Sequence, residues 1–206
     1  MGYISAASPT DALHGDNWHG GYYELSIKLG DHDDGRLDVA LNSLWEAAGL
    51  SRPFRHREAE RGREETRVSG ASLLAGHLDA IATIPGLGAT LCTVIVVREE
   101  SFESGVSQYG ADWLDLCLPL GALGNLDQRV GAYPFDDTAP SRSWREPIER
   151  WFAAIGQAVF RSVPFLHAVT GFEVSGVEPS EVNSGWVGLF RPTHQGALAI
   201  DPVSNW

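Results

Sequence analysis

The chain has 206 residues, with 27 Asp and Glu against 15 Lys and Arg, for a formal charge of −12. Its length suffices to bury a core without disulfides or metals, and 43% hydrophobic with 20% charged residues excludes a disordered or fibrous chain. The acidic balance argues against a general nucleic-acid binder and against docking on anionic lipid, and no apolar run reaches the roughly 18 residues of a membrane-spanning helix.

Residues 1–21, rich in Gly, Ser, Asp and His, read as an irregular, flexible polar arm, and 22–206 as a single domain. The arm lacks the basic and apolar regions of a secretory signal, and Ala6 stands where a myristoylation pattern wants Ser or Thr. Residues 22–29 alternate: Tyr23, Leu25, Ile27 and Leu29 share one face, and Tyr22, Glu24, Ser26 and Lys28 the other. That period predicts a half-buried strand. A turn at 30–35 feeds a helix whose apolar stripe is Leu37, Leu41, Leu44, Trp45 and Ala48. Asp34 is placed to cap it and Gly49 to end it.

Residues 51–67 hold six Arg and four Glu, a local charge of +2, which leaves −14 on the other 189 residues. This stretch is expected to be an exposed loop or a ragged, solvated helix inserted in the domain. Residues 71–84 lead to a Pro-Gly turn at 85–88. Residues 91–97 are nearly all apolar and predict a central strand buried on both faces. Residues 99–110 read as an acidic connection to an alternating strand at 113–120, so that 91–98 and 112–119 pair as an antiparallel hairpin. A short helical turn is expected at 121–127 and a Pro/Asp loop at 133–142. A second long helix is expected to start at Ser143, with Ser143 and Glu146 as a capping box and Pro147 in its first turn, and to stop before Pro164. Strand candidates follow at 166–175, 185–191 and 197–200. Runs of consecutive strands with two long amphipathic helices predict an α+β fold around a mainly antiparallel sheet of six or seven strands.

Several residue groups invite a chemical reading. Asp31, His32, Asp33 and Asp34 crowd oxygen and nitrogen ligands into one turn; the same residues also suit a turn and a helix N-terminus. His14, Asp16 and His19 have spacing that could hold a transition metal, but they lie outside a helix. His56, His77, His167 and His194 are scattered singly. No Gly-x-Ser-x-Gly elbow, phosphate-binding glycine loop or activated cysteine is present. Cys92 and Cys117 lie in apolar runs and read as buried thiols of a reducing cytoplasm. Glu173 is an acid within an apolar strand, either buried with a raised pKa or facing outward. Trp45 and Trp151 fall on helix stripes and belong to the core. Trp18, Trp113, Trp144, Trp186 and Trp206 either fill the core or, beside acids, form a surface for a protein partner. No metal or cofactor is expected.

In size, charge and element order the chain resembles the bacterial immunity proteins of contact-dependent or polymorphic toxin systems. The resemblance is carried by the opening strand 22–29, the helix 37–48, the strand 113–120 and the closing segment 185–192. It implies an acidic cytoplasmic binding protein that is not an enzyme and that blocks a basic partner, a toxin domain, by surface complementarity. Candidate contacts are Asp31, Asp33, Asp34, Glu99, Glu100, Glu103, Asp112, Asp136, Asp137 and the aromatic anchor Trp113. Two other readings stay open. One is a small enzyme using Glu173 or Glu24 with a histidine, or a metal on the His/Asp arm. The other is a structural subunit of a larger assembly.

Overall fold

A computed structural model of the protein describes residues 7–57, 62–103, 106–130, 138–182 and 187–201, with only the backbone path for 57, 99–103 and 106–109. One antiparallel sheet of nine strands organises it. In chain order the strands are β1 (Tyr22–Asp31), β2 (Phe54–Arg57), β3 (Gly62–Glu65), β4 (Leu78–Ile84), β5 (Gly88–Glu103), β6 (Val106–Pro119), β7 (His167–Phe172), β8 (Gly188–Pro192) and β9 (Leu198–Asp201). Their spatial order is β3-β2-β4-β5-β6-β1-β7-β8-β9. The helices are α1 (Asp34–Ala48), α2 (Gly70–Leu74), α3 (Leu120–Leu126) and α4 (Ala139–Ser162). The α+β class and the mainly antiparallel sheet are as expected, with more strands than the alternation alone marks out.

The period of two in β1 explains its central place. Leu25, Ile27 and Leu29 are buried with Leu114 and Leu116 of β6, under Leu37, Leu41 and Leu44 of α1 and Ile148, Phe152 and Ile155 of α4. Each such side chain contributes on the order of 1.5–3 kcal/mol by leaving water. Trp45 and Trp151 join this core as expected, and so does Trp144. The N-cap of α1 is Asp33 rather than Asp34: its carboxylate accepts from the Arg36 amide at 2.9 Å. Gly49 ends the helix at φ 61°, a left-handed conformation that costs glycine little.

Four expectations need correction. The stretch 51–67 is not simply a loop or a helix: its residues 54–57 and 62–65 form the paired strands β2 and β3 at the sheet edge. Phe54 and His56 alternate with Arg55 and Arg57, and the density of charge hides that short period. The outermost strand β3 keeps Arg63, Glu64 and Glu65 in solvent, which discourages edge-to-edge association. The acidic stretch 99–110 is not a loose connection either: β5 and β6 stay paired out to Glu103 and Val106, past a bulge between Arg98 and Glu100. Ladder hydrogen bonds use backbone groups and do not require apolar side chains. Helix α4 begins four residues before Ser143, with Thr138 accepting from the Ser141 amide and a proline in its first turn, which leaves Pro147 inside the helix. It stops before Pro164, as its sequence requires.

The described part of the N-terminal arm, residues 7–21, is finally docked rather than flexible. Asn17 is buried and donates to the Ser8 and Asp11 carbonyls, both at 2.8 Å. The Leu91 amide of β5 donates to Pro9 O at 2.9 Å, and the Gly121 amide of α3 to His19 O at 2.9 Å. A Cβ on Gly121 would sit 2.0 Å from the Asp16 carbonyl oxygen, so this close approach needs glycine.

Candidate functional site

Helices α1 and α4 cover one face of the sheet. The other face carries polar side chains, because in each strand the residues between the core positions point there. The registers place Asp79 of β4 opposite Thr93 of β5, Thr93 opposite Cys117 of β6, and Cys117 opposite Glu24 of β1. A row of polar groups therefore crosses four central strands. Two irregular segments cover its ends: the N-terminal arm over β2, β4 and β5, and residues 173–178 over β1 and β7.

Under the N-terminal arm, the fold brings together His56, His77 and Asp79. His56 lies on β2, His77 just before β4 and Asp79 on β4. His56 Nδ1 is 2.8 Å from Asp79 Oδ2, and the His56 amide donates to the same oxygen at 3.0 Å. His77 Nε2 is 3.3 Å from Asp79 Oδ2 but lacks the alignment of a hydrogen bond. The ligand atoms of all three side chains lie within 4.8 Å of one another. Trp18 stacks on the His56 ring with centroids 4.3 Å apart and planes 12° from parallel. Its indole N–H is tied to the Ala12 carbonyl at 2.9 Å. Arg55 donates through Nε to the His77 carbonyl at 3.1 Å and through Nη2 to the Ser72 carbonyl.

A cavity of about 160 Å³ adjoins the three, lined also by Trp18, Tyr22, Thr93 and Ile95. Asp79 is fully buried. Burial pushes its carboxyl up, but the His77 contact and the hydrogen bonds from His56 outweigh burial and hold it below the usual carboxylate range. The same carboxylate raises His77 against its own burial. Asp79 Oδ1 and Thr93 Oγ1 are buried without a hydrogen-bond partner. The phenol of Tyr22 is raised by burial and by Cys117, Asp79 and Glu24.

At the other end of the row, Glu24 Oε2 accepts from the Val174 and Ser175 amides, both at 3.0 Å. Asp115 accepts from Ser26 at 2.5 Å and from Ser175 at 2.6 Å. Burial, with Asp115 nearby, pushes the Glu24 carboxyl up to about 7. Burial likewise raises Asp115. Cys92 and Cys117 are free and buried, and burial drives both thiols up, so neither is an activated nucleophile.

The residues singled out from the sequence fall elsewhere. Asp31, Asp33 and Asp34 are exposed around the end of β1 and the start of α1. Asp33 caps α1, and Asp34 pairs with Arg98 at 2.5 Å. The turn therefore serves the helix N-terminus and an ion pair. Asp112 is not a surface contact: it is buried, with Arg98 Nε at 3.0 Å and His32 Nε2 at 3.4 Å. Trp113 is fully buried beside His167 and under the Lys28 ammonium, so it is no exposed anchor. Glu99, Glu100 and Glu103 lie on β5, where only the backbone is described. Asp136, Asp137, Trp186 and Trp206 lie outside the described residues. Glu173 is the outward-facing alternative, exposed just past the end of β7 with φ 47°. His14 is exposed, 3.8 Å from Asp16, and does not join His19 in a ligand group.

The His56–His77–Asp79 group escaped the reading of the sequence. One signal for it was present: His77 and Asp79 are two apart at a strand start, which places both on one face. His56 is 21 positions earlier, and only the pairing of β2 with β4 at Phe54 and Asp79 delivers it. Neither a protein-family model, nor a curated protein, nor a solved structure matches the chain.

Proposed function

We propose that this chain is an acidic, cytoplasmic binding protein that neutralises a basic protein partner, on the pattern of an immunity protein blocking a bacterial toxin domain. The observation that carries this reading is the charge distribution. The chain is −12 overall, and the basic residues concentrate in 51–67, leaving −14 elsewhere. A field of that sign steers a basic partner and raises its association rate, with a strong dependence on salt. The exposed carboxylates of Asp31, Asp33 and Asp34 lie together at the β1–α1 corner and are offered as part of the contact surface. The absence of membrane-spanning helices among the described residues is compatible with this location.

The test is capture on the immobilised, folded protein from lysate of its own organism, at low and at moderate salt. Near-stoichiometric recovery of one basic protein, released by salt and inactivated when mixed with this chain, supports the reading. Retention of nothing at low salt, or of a protein whose activity is unchanged on binding, overturns it. A second reading, a small metal-using enzyme, is favoured by one observation, the cavity beside His56, His77 and Asp79. Its first requirement is a bound cation.

A further inference from the structure

We propose that His56, His77 and Asp79 form a binding site for one divalent transition-metal cation of the zinc class, with the adjoining cavity supplying an open coordination position. The site is independent of the partner-binding reading and survives its failure.

Geometry is the first support. A tetrahedral zinc ion holds nitrogen and oxygen donors at about 2.0–2.1 Å, which separates neighbouring donors by roughly 3.3 Å. Here Asp79 Oδ2 is 2.8 Å from His56 Nδ1 and 3.3 Å from His77 Nε2. Small rotations of the side chains therefore convert the cluster into a three-ligand set. The donor chemistry is the second support. Two imidazoles and one carboxylate suit zinc and its neighbours, whereas calcium and magnesium take oxygen ligands throughout.

The third support is independent of both. Asp79 is fully buried, lines the cavity, and has one carboxylate oxygen, Oδ1, with no hydrogen-bond partner. A buried carboxylate oxygen left without a donor is costly, and proteins retain such groups where a ligand satisfies them. Thr93 Oγ1 is buried and unpartnered in the wall of the same cavity.

The surroundings also hold the ligands in place, as the outer shell of a metal site does. The His56 amide fixes the Asp79 carboxylate, Trp18 stacks on the His56 ring, and Arg55 holds the backbone of His77. Three protein ligands leave a fourth position. The cavity of about 160 Å³, walled by Trp18, Tyr22, Thr93 and Ile95, has room there for water or a small anionic ligand.

The test is calorimetric titration of the untagged protein with zinc chloride, paired with cobalt(II) as a visible-absorption probe. The expected result is one ion per chain and a cobalt spectrum of low-coordinate type. His77→Gln and His56→Gln should each weaken zinc binding tenfold or more and abolish that spectrum, and the exposed-site control His14→Gln should leave both unchanged. His77 is part-exposed, so its variant tests the site without threatening the fold. Sub-stoichiometric uptake by the wild type, or equal affinity in wild type and His77→Gln, overturns the proposal. Retention of metal binding by a preparation that captures no basic partner separates this proposal from the functional reading.

Discussion

The two ends of the polar row on the open face of the sheet are built from the same materials and arrive at different states. Under residues 173–178, Glu24 and Asp115 are buried carboxylates supplied with donors from Ser26, Ser175 and two backbone amides. Under the N-terminal arm, Asp79 is equally buried, yet one of its oxygens has no donor and a cavity stands beside it. The first network is closed and holds a covering segment onto the sheet. The second is left incomplete by the chain's own groups, and that contrast separates a structural use of buried charge from a site.

The sharpest way to break the comparison is to lift one cover and leave the other. Gly121→Ala places a methyl group against the Asp16 carbonyl oxygen. It should cost about 3 kcal/mol in thermal or denaturant unfolding. It should also change Trp18 fluorescence by undoing the stack on His56, without altering the 173–178 end. Unchanged stability would show that α3 and the arm do not approach as closely as described.

A pH titration of stability reads the closed end. Burial, with Asp115 and Glu173 nearby, pushes the Glu24 carboxyl in the fold up to about 7, against an ordinary value of 4.5. A carboxyl raised by folding is neutral in the native state across that interval, so its stabilising effect is full below pH 4.5 and is lost as pH rises through 7. Stability should therefore fall by about 3 kcal/mol across that window. Glu24→Gln should flatten that part of the profile. Glu149, bound to the Tyr23 hydroxyl at 2.6 Å and also raised to about 7 by burial, acts with the same sign. Glu149→Gln should remove its share independently, and the two effects should add because the residues lie on opposite faces of the sheet.

Ser175→Ala tests whether the closed network depends on each donor. It leaves Asp115 Oδ2 short of the hydroxyl at 2.6 Å, and should cost about 1–2 kcal/mol by equilibrium unfolding. Asp33→Ala removes the α1 cap and should cost about 1 kcal/mol in the same measurement, without touching either end of the row. A cap loss larger than the Ser175 effect would mean that the buried network contributes less than its geometry indicates.

Most of the regular structure was legible because it follows from local periods. β1 is written in the alternation from Tyr22 to Leu29, and α1 in the spacing from Leu37 to Ala48. Gly49 and Pro164 bound the two long helices for steric reasons that need no tertiary context. The elements that were missed are those whose period is short or overlaid by charge, such as β2 with Phe54 and His56 between arginines. The outer ends of β5 and β6 were missed because their pairing is a backbone matter. Alternation turns Trp113 away from the helix-covered face and puts Asp112 in line with Leu114 near the outer end of the described side chains of β6, so only residue type makes both of them contact candidates. Alternation does not say that Lys28, His167 and Glu178 close over one and Arg98 over the other.

By itself, the sequence determined the class of the fold, the two long helices, the core face of the central strands and the acidic character of the molecule. Each of these depends on residues within a few positions of one another or on simple sums of charge. The tertiary structure alone decided which polar groups meet on the open face. Strand register, over separations of 21 residues from His56 to His77 and 93 from Glu24 to Cys117, selects the neighbours of a buried carboxylate. A buried charge is governed by its neighbours in space, and no local pattern of residues specifies them.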